Sequence, residues 1–374
     1  MRLSQPSIDA LEIDAVTRVL QSEFLGMGKE VIEFEEELTT FFSNPAVCVN
    51  TGTSALQLAL SASGISKGDE VLVPSLTYVA TYQAISATGG IPISCDVQED
   101  DLQIDVEDAA TRITKKTKAI VPVYVSGATN CLNRVKEFAQ KNNLINIADA
   151  AHAFGSMNQK QRIGSDGGTY VFSLDGIKNI TSGEGGLVVS NDNHIINHVR
   201  NSRLLGVIGD SEMRAIGERS WNFEVENQGW RYHMSDLFAA IGKVQLSKFQ
   251  EFSRTRKQLY EKYLIRLKNC HQISVFNWNV DDGMVPHIFL IRIPGMRSRN
   301  ILRSSLSEDG IPTGVHYKPN HLLKFFKDSS SAPLFRTEKI YPEILSLPFH
   351  VKLTESDIDE IVAKLEKNLE LAFE

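Results

Sequence analysis

A single lysine, Lys178, stands between the apolar residues 170–174 and the glycine-rich turn Gly183-Glu-Gly-Gly186. A lysine amine forms a Schiff base with a carbonyl compound when its surroundings lower its pKa. A lysine after a strand is common in proteins of every function, so Lys178 alone decides nothing. Its chemical meaning depends on the residues that precede it in the chain.

A phosphate-binding turn is predicted in Asn50-Thr-Gly-Thr-Ser-Ala-Leu56. The glycine permits a close backbone turn, and the hydroxyls of Thr53 and Ser54 stand at the start of a helix. Free N–H groups and the positive end of the helix dipole favour a phosphate at that position. Serine and threonine are also ordinary helix caps, so a plain capped helix is the alternative interpretation. The turn is neither Gly-x-Gly-x-x-Gly nor a Walker loop, which disfavours a dinucleotide or a nucleoside triphosphate.

Asp149 ends an apolar strand in Ala148-Asp-Ala-Ala-His152. A buried carboxylate needs a cationic partner, and the protonated nitrogen of a pyridine ring would be one. His152, three residues on, would contact the face or the oxygen of that ring. An aspartate that caps a helix beside a packed histidine is the alternative interpretation. Because Ser173 and Lys178 follow in order, the set as a whole predicts pyridoxal phosphate (PLP) held on Lys178 as a Schiff base.

Short apolar segments alternate with helical periodicity from residue 45 to residue 189, which predicts an α/β fold. Continuous apolar strands of this kind form a mostly parallel sheet with helices on both faces. Ligands bind beyond the carboxyl ends of such strands, where Thr53, Asp149 and Lys178 would meet. The predicted strands are 46–49, 70–73, 91–94, 119–124, 144–148, 169–172 and 187–189.

The flanking regions follow other patterns. Residues 7–43 are predicted to be helical apart from an interruption at 24–28, and Ser235-Asp236 is expected to cap a helix. Periodicity weakens at 190–232, which predicts a functional or interface element. A smaller C-terminal α+β unit is predicted, with strand 287–293, helix 300–309, short strand 313–317 and last helix 355–371.

The composition indicates a globular chain of two domains. With 374 residues, 42% of them hydrophobic, the chain is too long for one compact core, and we expect a large domain 1–245 and a small domain 246–374. The net charge of −7 disfavours a nucleic-acid or membrane-surface role. We see neither a secretory signal nor a membrane-spanning run, which predicts a cytoplasmic protein.

Metal and thiol chemistry find little support in the sequence. His194 and His198 have the spacing of a helical zinc pair but lie on a polar, surface-like segment, so no metal is predicted. The cysteines are scattered without a Cys-x-x-Cys pair, which indicates thiols in a reducing compartment. They are Cys48, Cys95, Cys131 and Cys270.

Together these segments resemble the PLP-dependent sugar aminotransferases of the DegT/StrS type, over nearly the whole chain. The resemblance implies the aspartate-aminotransferase fold (fold type I), with a sheet of the seven-stranded type in its large domain. The motifs that carry it are Phe34-Glu-Glu-Glu-Leu38, Gly52-Thr-Ser-Ala-Leu56, Gly68-Asp-Glu-Val-Leu-Val-Pro-Ser75, Ala148-Asp-Ala-Ala-His152, Phe172-Ser-Leu-Asp-Gly-Ile-Lys-Asn179, Gly183-Glu-Gly-Gly186, Met234-Ser-Asp-Leu-Phe-Ala-Ala-Ile-Gly242 and Leu345-Ser-Leu-Pro348.

The resemblance also implies roles for individual residues. Lys178 would be the Schiff-base lysine, and Asp149 would pair with the pyridine nitrogen. Tyr78 would stack on the cofactor ring and His152 would contact the ring region. The remaining implied contacts are Thr53, Ser54 and Ser173 with the phosphate, and His316 and Tyr317 with the substrate.

Two segments depart from the family pattern. Where the family often has Gly-Tyr-Asn-Tyr-Arg-Met, this chain has Gly229-Trp-Arg-Tyr-His-Met234, so that Arg231 replaces the asparagine and His233 the arginine. We expect Arg231 to contact the PLP phosphate, or the diphosphate of the substrate, in the neighbouring subunit of a homodimer. Leu174-Asp-Gly-Ile177 also departs, since an aromatic residue or histidine often follows the serine.

The function that the resemblance implies is amino transfer from L-glutamate to a keto sugar linked to a nucleoside diphosphate. By analogy we expect a 4-keto-6-deoxy sugar, and a product used in a surface polysaccharide, a glycan or a secondary metabolite. A 3-keto sugar or a keto-cyclitol is the alternative within the family. Dehydratase relatives carry histidine in place of the lysine, so Lys178 argues against that activity. A non-catalytic regulator with this fold is opposed by the intact set Asp149, Ser173 and Lys178.

Overall fold

The computed structural model describes residues 1–373 except 211, 212, 214–217, 219–221, 226, 279, 281, 282, 330 and 331. The α-helices are α1 (Ala10–Gln21), α2 (Lys29–Phe42), α3 (Gly52–Ala62), α4 (Val79–Ala87), α5 (Val106–Thr111), α6 (Leu132–Lys141), α7 (Asn193–Ser202), α8 (Asp236–Ser247), α9 (Phe249–Leu267), α10 (Arg299–Glu308), α11 (Phe335–Ile340) and α12 (Glu355–Asn368). The strands are β1 (Ala46–Val49), β2 (Glu70–Pro74), β3 (Ile91–Cys95), β4 (Thr117–Ile120), β5 (Ile145–Asp149), β6 (Met157–Asn158), β7 (Gln161–Arg162), β8 (Thr169–Ser173), β9 (Gly186–Val189), β10 (Ser274–Val275), β11 (Phe289–Arg292) and β12 (Ile344–Leu347). Over these ranges, no helix is long and apolar enough to span a membrane.

In the described part of the chain, seven strands form the central sheet, in the order β1-β9-β8-β5-β4-β2-β3. β8, β5, β4, β2 and β3 pair in parallel, whereas β9 lies antiparallel between β1 and β8. The predicted α/β fold with a mostly parallel sheet is confirmed. Lys178 lies on the connection between the adjacent strands β8 and β9, so this connection is anchored in the sheet at both ends.

Side chains alternate between the two faces of the sheet, as the pleat requires. In β8, Tyr170 and Phe172 enter one core and Val171 enters the other. Helices α2 and α6 cover the first face, and α3, α4 and α7 cover the second. Because both faces are buried, the strands appear in the sequence as continuous apolar runs.

Helix α9 joins this sheet to a second core. Its first turn places Phe249 and Phe252 in a core of the sheet, and its C-terminal half places Leu259, Tyr263 and Leu267 in the second core. The antiparallel strands β10-β11-β12 and helices α10 and α12 complete that core. The division of the chain at residue 245 into a large and a small domain stays a prediction.

Asp236 caps a different helix from the one predicted. Ser235 stands at the N-cap position of α8, but the Asp236 carboxylate reaches the start of α2. Its Oδ1 accepts hydrogen bonds from Gly28 N at 2.8 Å and from Val31 N at 3.2 Å. A carboxylate from another helix thus satisfies N–H groups that have no partner inside α2. This bond ties α2 to α8.

Other segments also differ from the sequence-based prediction. The strand predicted at 119–124 ends at Ile120, because Pro122 has no N–H for the ladder, and only a bridge between Val123 and Asp149 continues it. The strand predicted at 313–317 is a single bridge between Gly314 and Ser346. Helix α7 lies inside the stretch of weak periodicity, with Asp192 as its N-cap.

Candidate active site

The carboxyl ends of β5 and β8 meet the N-terminus of α3 at a cavity of about 470 Å³. The cavity gathers residues that are far apart in the sequence, as expected for the carboxyl edge of a parallel sheet. Of the predicted site residues, its wall contains Thr53, Tyr78, Asp149, His152, Ser173, Lys178, His316 and Tyr317. The other two, Ser54 and Arg231, are described residues that lie outside the wall.

The N-terminus of α3 is closed by a capping box between Thr51 and Ser54. Ser54 N donates to Thr51 Oγ1 at 3.1 Å, and Thr51 N donates to Ser54 Oγ at 3.2 Å. The Ser54 hydroxyl also donates to Asn50 Oδ1 at 2.7 Å, so it serves the cap. The backbone N–H groups of Gly52 and Thr53 precede the first intrahelical bonds, and both residues line the cavity. In the predicted phosphate-binding turn, the groups that face the cavity are therefore Thr53 and the backbone N–H groups.

Gly52 lets α3 approach β8 closely. A Cβ atom at position 52 would lie 2.9 Å from Cβ of Ser173 and 3.2 Å from its Oγ. Such a contact would displace Ser173, whose hydroxyl lies on the same cavity wall. The glycine thus brings the Ser173 hydroxyl beside the first N–H groups of α3, where the dipole favours an anion.

Asp149 is almost fully buried at the end of β5, with 5% of its surface exposed. Thr81 Oγ1 donates to its Oδ2 at 2.7 Å, and Ala151 N donates to its Oδ1 at 3.1 Å. Burial raises the pKa of this carboxyl, and the two hydrogen bonds oppose that shift. A protonated ring nitrogen in the cavity would supply the positive charge that a buried carboxylate requires.

Lys178 combines burial with two nearby carboxylates. Burial lowers the pKa of its amine to about 8, whereas the charges of Asp149 and Asp175 act in the opposite direction. Its backbone N donates to Asp175 O at 3.0 Å, which fixes the turn that presents the side chain. At pH 7 roughly one tenth of the amine is then unprotonated, far more than for a solvated lysine, and nucleophilic attack on a carbonyl requires this form.

The opposite wall of the cavity comes from the segment after the bridge at Gly314. His316 and Tyr317 line the cavity, and the Tyr317 ring centroid lies 5.4 Å from that of the half-exposed Tyr78. Burial lowers the pKa of His316 to about 4, so its imidazole is neutral. Asn320 fastens this segment to the sheet, since its Nδ2 donates to the carbonyls of Ser75 and Thr77 at 3.1 and 2.8 Å.

The structure adds site residues that the sequence analysis did not select. Thr81 donates a hydrogen bond to Asp149. Its position one helical turn after Tyr78, a predicted site residue, was the sequence signal that could have identified it. Asp175 and Glu184 add two carboxylates to the wall. Lys178 is the only lysine or arginine among the described lining residues. An anionic ligand therefore depends on the α3 terminus and on hydroxyl groups.

Two other predicted features lie away from this cavity. Arg231 is exposed and pairs through its backbone with Leu204, while His233 pairs with Val49. His194 and His198 lie on α7 with ring centroids 6.3 Å apart. Among the described residues, no three His, Cys, Asp or Glu side chains are grouped to hold a metal ion.

Comparison with known proteins identifies the class of site. The model of the DegT/DnrJ/EryC1/StrS aminotransferase family matches residues 6–366. The chain belongs to this family. Spr1654 from Streptococcus pneumoniae, whose structures include PLP and PMP (pyridoxamine phosphate) forms, is 26% identical over 100% of both chains, with a TM-score of 0.92 for the PMP form.

Two further solved structures specify the chemistry of the relatives. Helicobacter pylori PseC, an aminotransferase in pseudoaminic acid biosynthesis, is 28% identical over 99% of both chains, with a TM-score of 0.90. S. venezuelae DesV, in complex with a ketimine intermediate, is 31% identical over 95% of this chain and 93% of its own, with a TM-score of 0.86. The protein is accordingly a PLP-dependent sugar aminotransferase, which acts on a keto sugar and an amino donor.

The cavity of this aminotransferase fits PLP. Its wall offers a buried carboxylate for the ring nitrogen at Asp149, a poised amine at Lys178, and an anion-binding terminus beside Ser173. The close approach at Gly52 leaves no room for a side chain between the helix terminus and Ser173. These features match the ring nitrogen, the aldehyde and the phosphate of the cofactor.

We predict that the apoenzyme captures PLP with a rate that follows the neutral fraction of Lys178. The rate should be half-maximal near pH 8, the lowered pKa of the amine, and should fall roughly tenfold for each unit below it. In Asp175→Asn the midpoint should move to lower pH, because a carboxylate that favours the ammonium form is lost. Stopped-flow absorbance measures the rate, with Asp192→Asn as control. A wild-type midpoint near that of a solvated lysine would contradict the prediction.

We predict that Gly52→Ala weakens PLP binding roughly tenfold or more, because the added Cβ would lie 2.9 Å from Cβ of Ser173. Gly26→Ala is the matched control, since a Cβ at that position has no neighbour within 4 Å. Fluorescence titration of the apoenzymes gives the affinities, and thermal unfolding reports any loss of stability. Equal PLP affinity in both variants would show that the approach at Gly52 does not shape the site.

Proposed function

We propose that this aminotransferase moves the amino group of L-glutamate to a keto sugar carried on a nucleoside diphosphate. The observation that carries the proposal is the partly buried Lys178 amine, with a pKa lowered to about 8, beside Asp149 and the α3 terminus in one cavity. The proposed acceptor is a 4-keto-6-deoxy sugar, whose product enters a surface polysaccharide, a glycan or a secondary metabolite. The similarity to PseC, an aminotransferase involved in the biosynthesis of pseudoaminic acid, supports a biosynthetic role of this kind.

In this proposal PLP contacts the residues that line one end of the cavity. Thr53, Ser173 and the N–H groups at the start of α3 hold its phosphate, and Asp149 keeps its ring nitrogen protonated. Ser54 contributes by closing the cap with Thr51 and not through its own hydroxyl. Tyr78, 58% exposed, lies at the mouth of the cavity, where it can cover the cofactor ring and exclude water.

Bound PLP supplies a conjugated ring that accepts the electrons left on the donor carbon when its proton is removed. Lys178 moves that proton, acting as a base at the donor Cα and then as an acid, because its lowered pKa permits both roles near neutral pH. Asp149 stabilises the positive ring nitrogen throughout. The same residues serve the keto sugar in the reverse order of steps.

The substrate end of the cavity is lined by polar groups. His316 and Tyr317 stand on one wall, and Asp175 and Glu184 line the same cavity. Neutral imidazole, phenol and carboxylate groups are suitable partners for the hydroxyl groups of a sugar ring. We propose that these residues orient the sugar so that its keto carbon faces the cofactor.

The anionic parts of cofactor and substrate require positive charge that the described wall residues do not supply. We propose that a homodimer supplies it, with Arg231 of a second copy reaching the PLP phosphate or the substrate diphosphate. Arg231 is exposed and pairs through its backbone with Leu204. Several large apolar side chains in the described part of the chain between these two residues are roughly half exposed. These are Leu205, Ile208, Phe223 and Val225. Burial against a second copy would remove them from water.

The substrate is tested with a panel of dTDP-, UDP- and GDP-linked 3-keto and 4-keto sugars and glutamate, analysed by product mass and NMR. We predict amination of a 4-keto sugar, and loss of turnover and of borohydride-trapped PLP in Lys178→Ala. Amination of a 3-keto sugar or of a keto-inositol would replace the proposed acceptor. Failure of glutamate to convert the PLP form to pyridoxamine phosphate would contradict the proposed donor and favour a regulator.

We predict that Arg231→Ala lowers both PLP retention and affinity for the nucleotide sugar, because a charge-assisted contact with phosphate is lost. Equilibrium dialysis measures the cofactor, and the KM for the sugar measures the substrate. Arg254→Ala removes another exposed arginine and serves as the matched control. If Arg231→Ala leaves both quantities at the wild-type level, the proposed contact does not exist.

A further inference from the structure

A buried pair of histidines adjoins the cavity: His152 is part of its wall, and His287 packs against His152. The rings of His152 and His287 are 4.3 Å apart between centroids, and their exposed surfaces are 7% and 3%. Burial holds the pKa of each imidazole well below its usual range, so both rings are neutral. A neutral imidazole carries one N–H donor and one acceptor nitrogen, and its hydrogen-bond partners decide which is which.

The partners of His152 select one tautomer. Its Nδ1 lies 3.4 Å from the backbone N of Ser126, which can only donate, so Nδ1 is the acceptor. The proton must then be on Nε2, which lies 3.0 Å from the hydroxyl oxygen of Tyr317. His152 therefore donates to Tyr317, and the phenol's own proton is left for another acceptor. Since Tyr317 lines the cavity, this proton is available to an atom of a bound ligand.

Ser126 and His287 keep this arrangement in place. Ser126 has a left-handed backbone with φ of +57°, and its carbonyl accepts a hydrogen bond from His287 N at 2.9 Å while its N–H faces His152. The Ser126 hydroxyl donates to Ile288 O at 2.5 Å. One residue thus connects both histidines and the start of β11.

The second histidine is also fixed by its partners. His287 Nδ1 lies 3.2 Å from Oδ1 of Asn179, the residue after Lys178. The amide nitrogen of Asn179 faces the carbonyls of Phe154 and Val285, both at 3.4 Å, which leaves its oxygen as the acceptor for His287. Arg256 donates to the His287 carbonyl at 3.2 Å. His287 therefore has one orientation, with its ring against His152.

We infer that Ser126 and His287 hold His152 as the Nε2–H tautomer, so that Tyr317 presents its hydroxyl proton to a ligand oxygen. Two ligand oxygens have the required acceptor chemistry, namely the phenolic oxygen of the PLP ring and the carbonyl oxygen of a keto substrate. The hydrogen bond stabilises negative charge on that oxygen without transfer of the phenol proton. Ser126 and His287 are positioning residues, whereas Tyr317 contacts the ligand. The choice of a keto sugar as ligand rests on the proposed function.

The tautomer is tested by NMR of the holoenzyme with ¹⁵N-labelled histidine, with the His152 signals assigned by their loss in His152→Gln. We expect a protonated Nε2, an unprotonated Nδ1 and no titration between pH 6 and 8. His287→Phe keeps a ring against His152 but loses the bond to Asn179 that fixes the orientation of this ring. The contact between His152 and Ser126 N should then loosen, and we expect a mixture of tautomers. A wild-type His152 that is charged, or protonated on Nδ1, would overturn the inference.

The donor role is tested with Tyr317→Phe, in two arms that distinguish the two oxygens. If the ring oxygen is the acceptor, the absorbance maximum of the PLP form or its pH dependence shifts without any substrate. If the carbonyl oxygen is the acceptor, that spectrum is unchanged, and single-turnover reaction of the PMP form with 2-oxoglutarate or the keto sugar slows roughly tenfold. If neither quantity changes, Tyr317 does not donate to a ligand.

Matched controls separate this role from a loss of stability. Tyr263→Phe removes another buried hydroxyl, which donates to Pro348 O at 2.8 Å in the second core, and should leave both readouts unchanged. Failure of the proposed function has a different signature, because the wild type itself would then react with neither carbonyl compound. The NMR and absorbance measurements still decide the inference in that case.

Discussion

The lowered pKa of a partly buried amine beside carboxylates is the condition on which this site depends. Desolvation disfavours the ammonium form of Lys178, while the charges of Asp149 and Asp175 favour it, and desolvation is the larger effect. The connection between β8 and β9 supplies the burial, because it places Lys178 on the wall of the cavity. The α3 terminus supplies positive potential through backbone dipoles and not through a side-chain cation.

The main site residues were predictable because each stands at the end of a strand that its own sequence reveals. Asp149, Ser173 and Lys178 follow apolar runs, and the sheet then brings their ends together. Ser54 shows the limit of such reasoning. It is adjacent to Thr53, but successive residues on a helix point about 100° apart, so one hydroxyl faces the cavity and the other the cap. Ser126 and His287 had no local signal, since their importance arises only from contacts with His152.

The fold shows the same division between local and distant causes. The buried strands of the sheet were predicted closely because apolar runs and their breaks are properties of the sequence itself. β10 has only two residues, both exposed, which is too short for a periodic signal, and the polar helix α7 has a weak one. Asp236 was assigned to the nearest helix, whereas its carboxylate caps a helix some 200 residues earlier in the chain, with Gly28 and Asp236 separated by 208 positions. Such a partner can be found only from the folded chain.

The two walls of the cavity have separate origins in the chain. Lys178, Asp149 and Ser173 belong to the central sheet and its short connections, whereas His316 and Tyr317 arrive on a later segment fastened at Asn320. Selection can therefore alter the later segment without touching the strand ends that carry the reaction. A substitution near His316 would change this wall of the cavity and leave Asp149, Ser173 and Lys178 in place on the other.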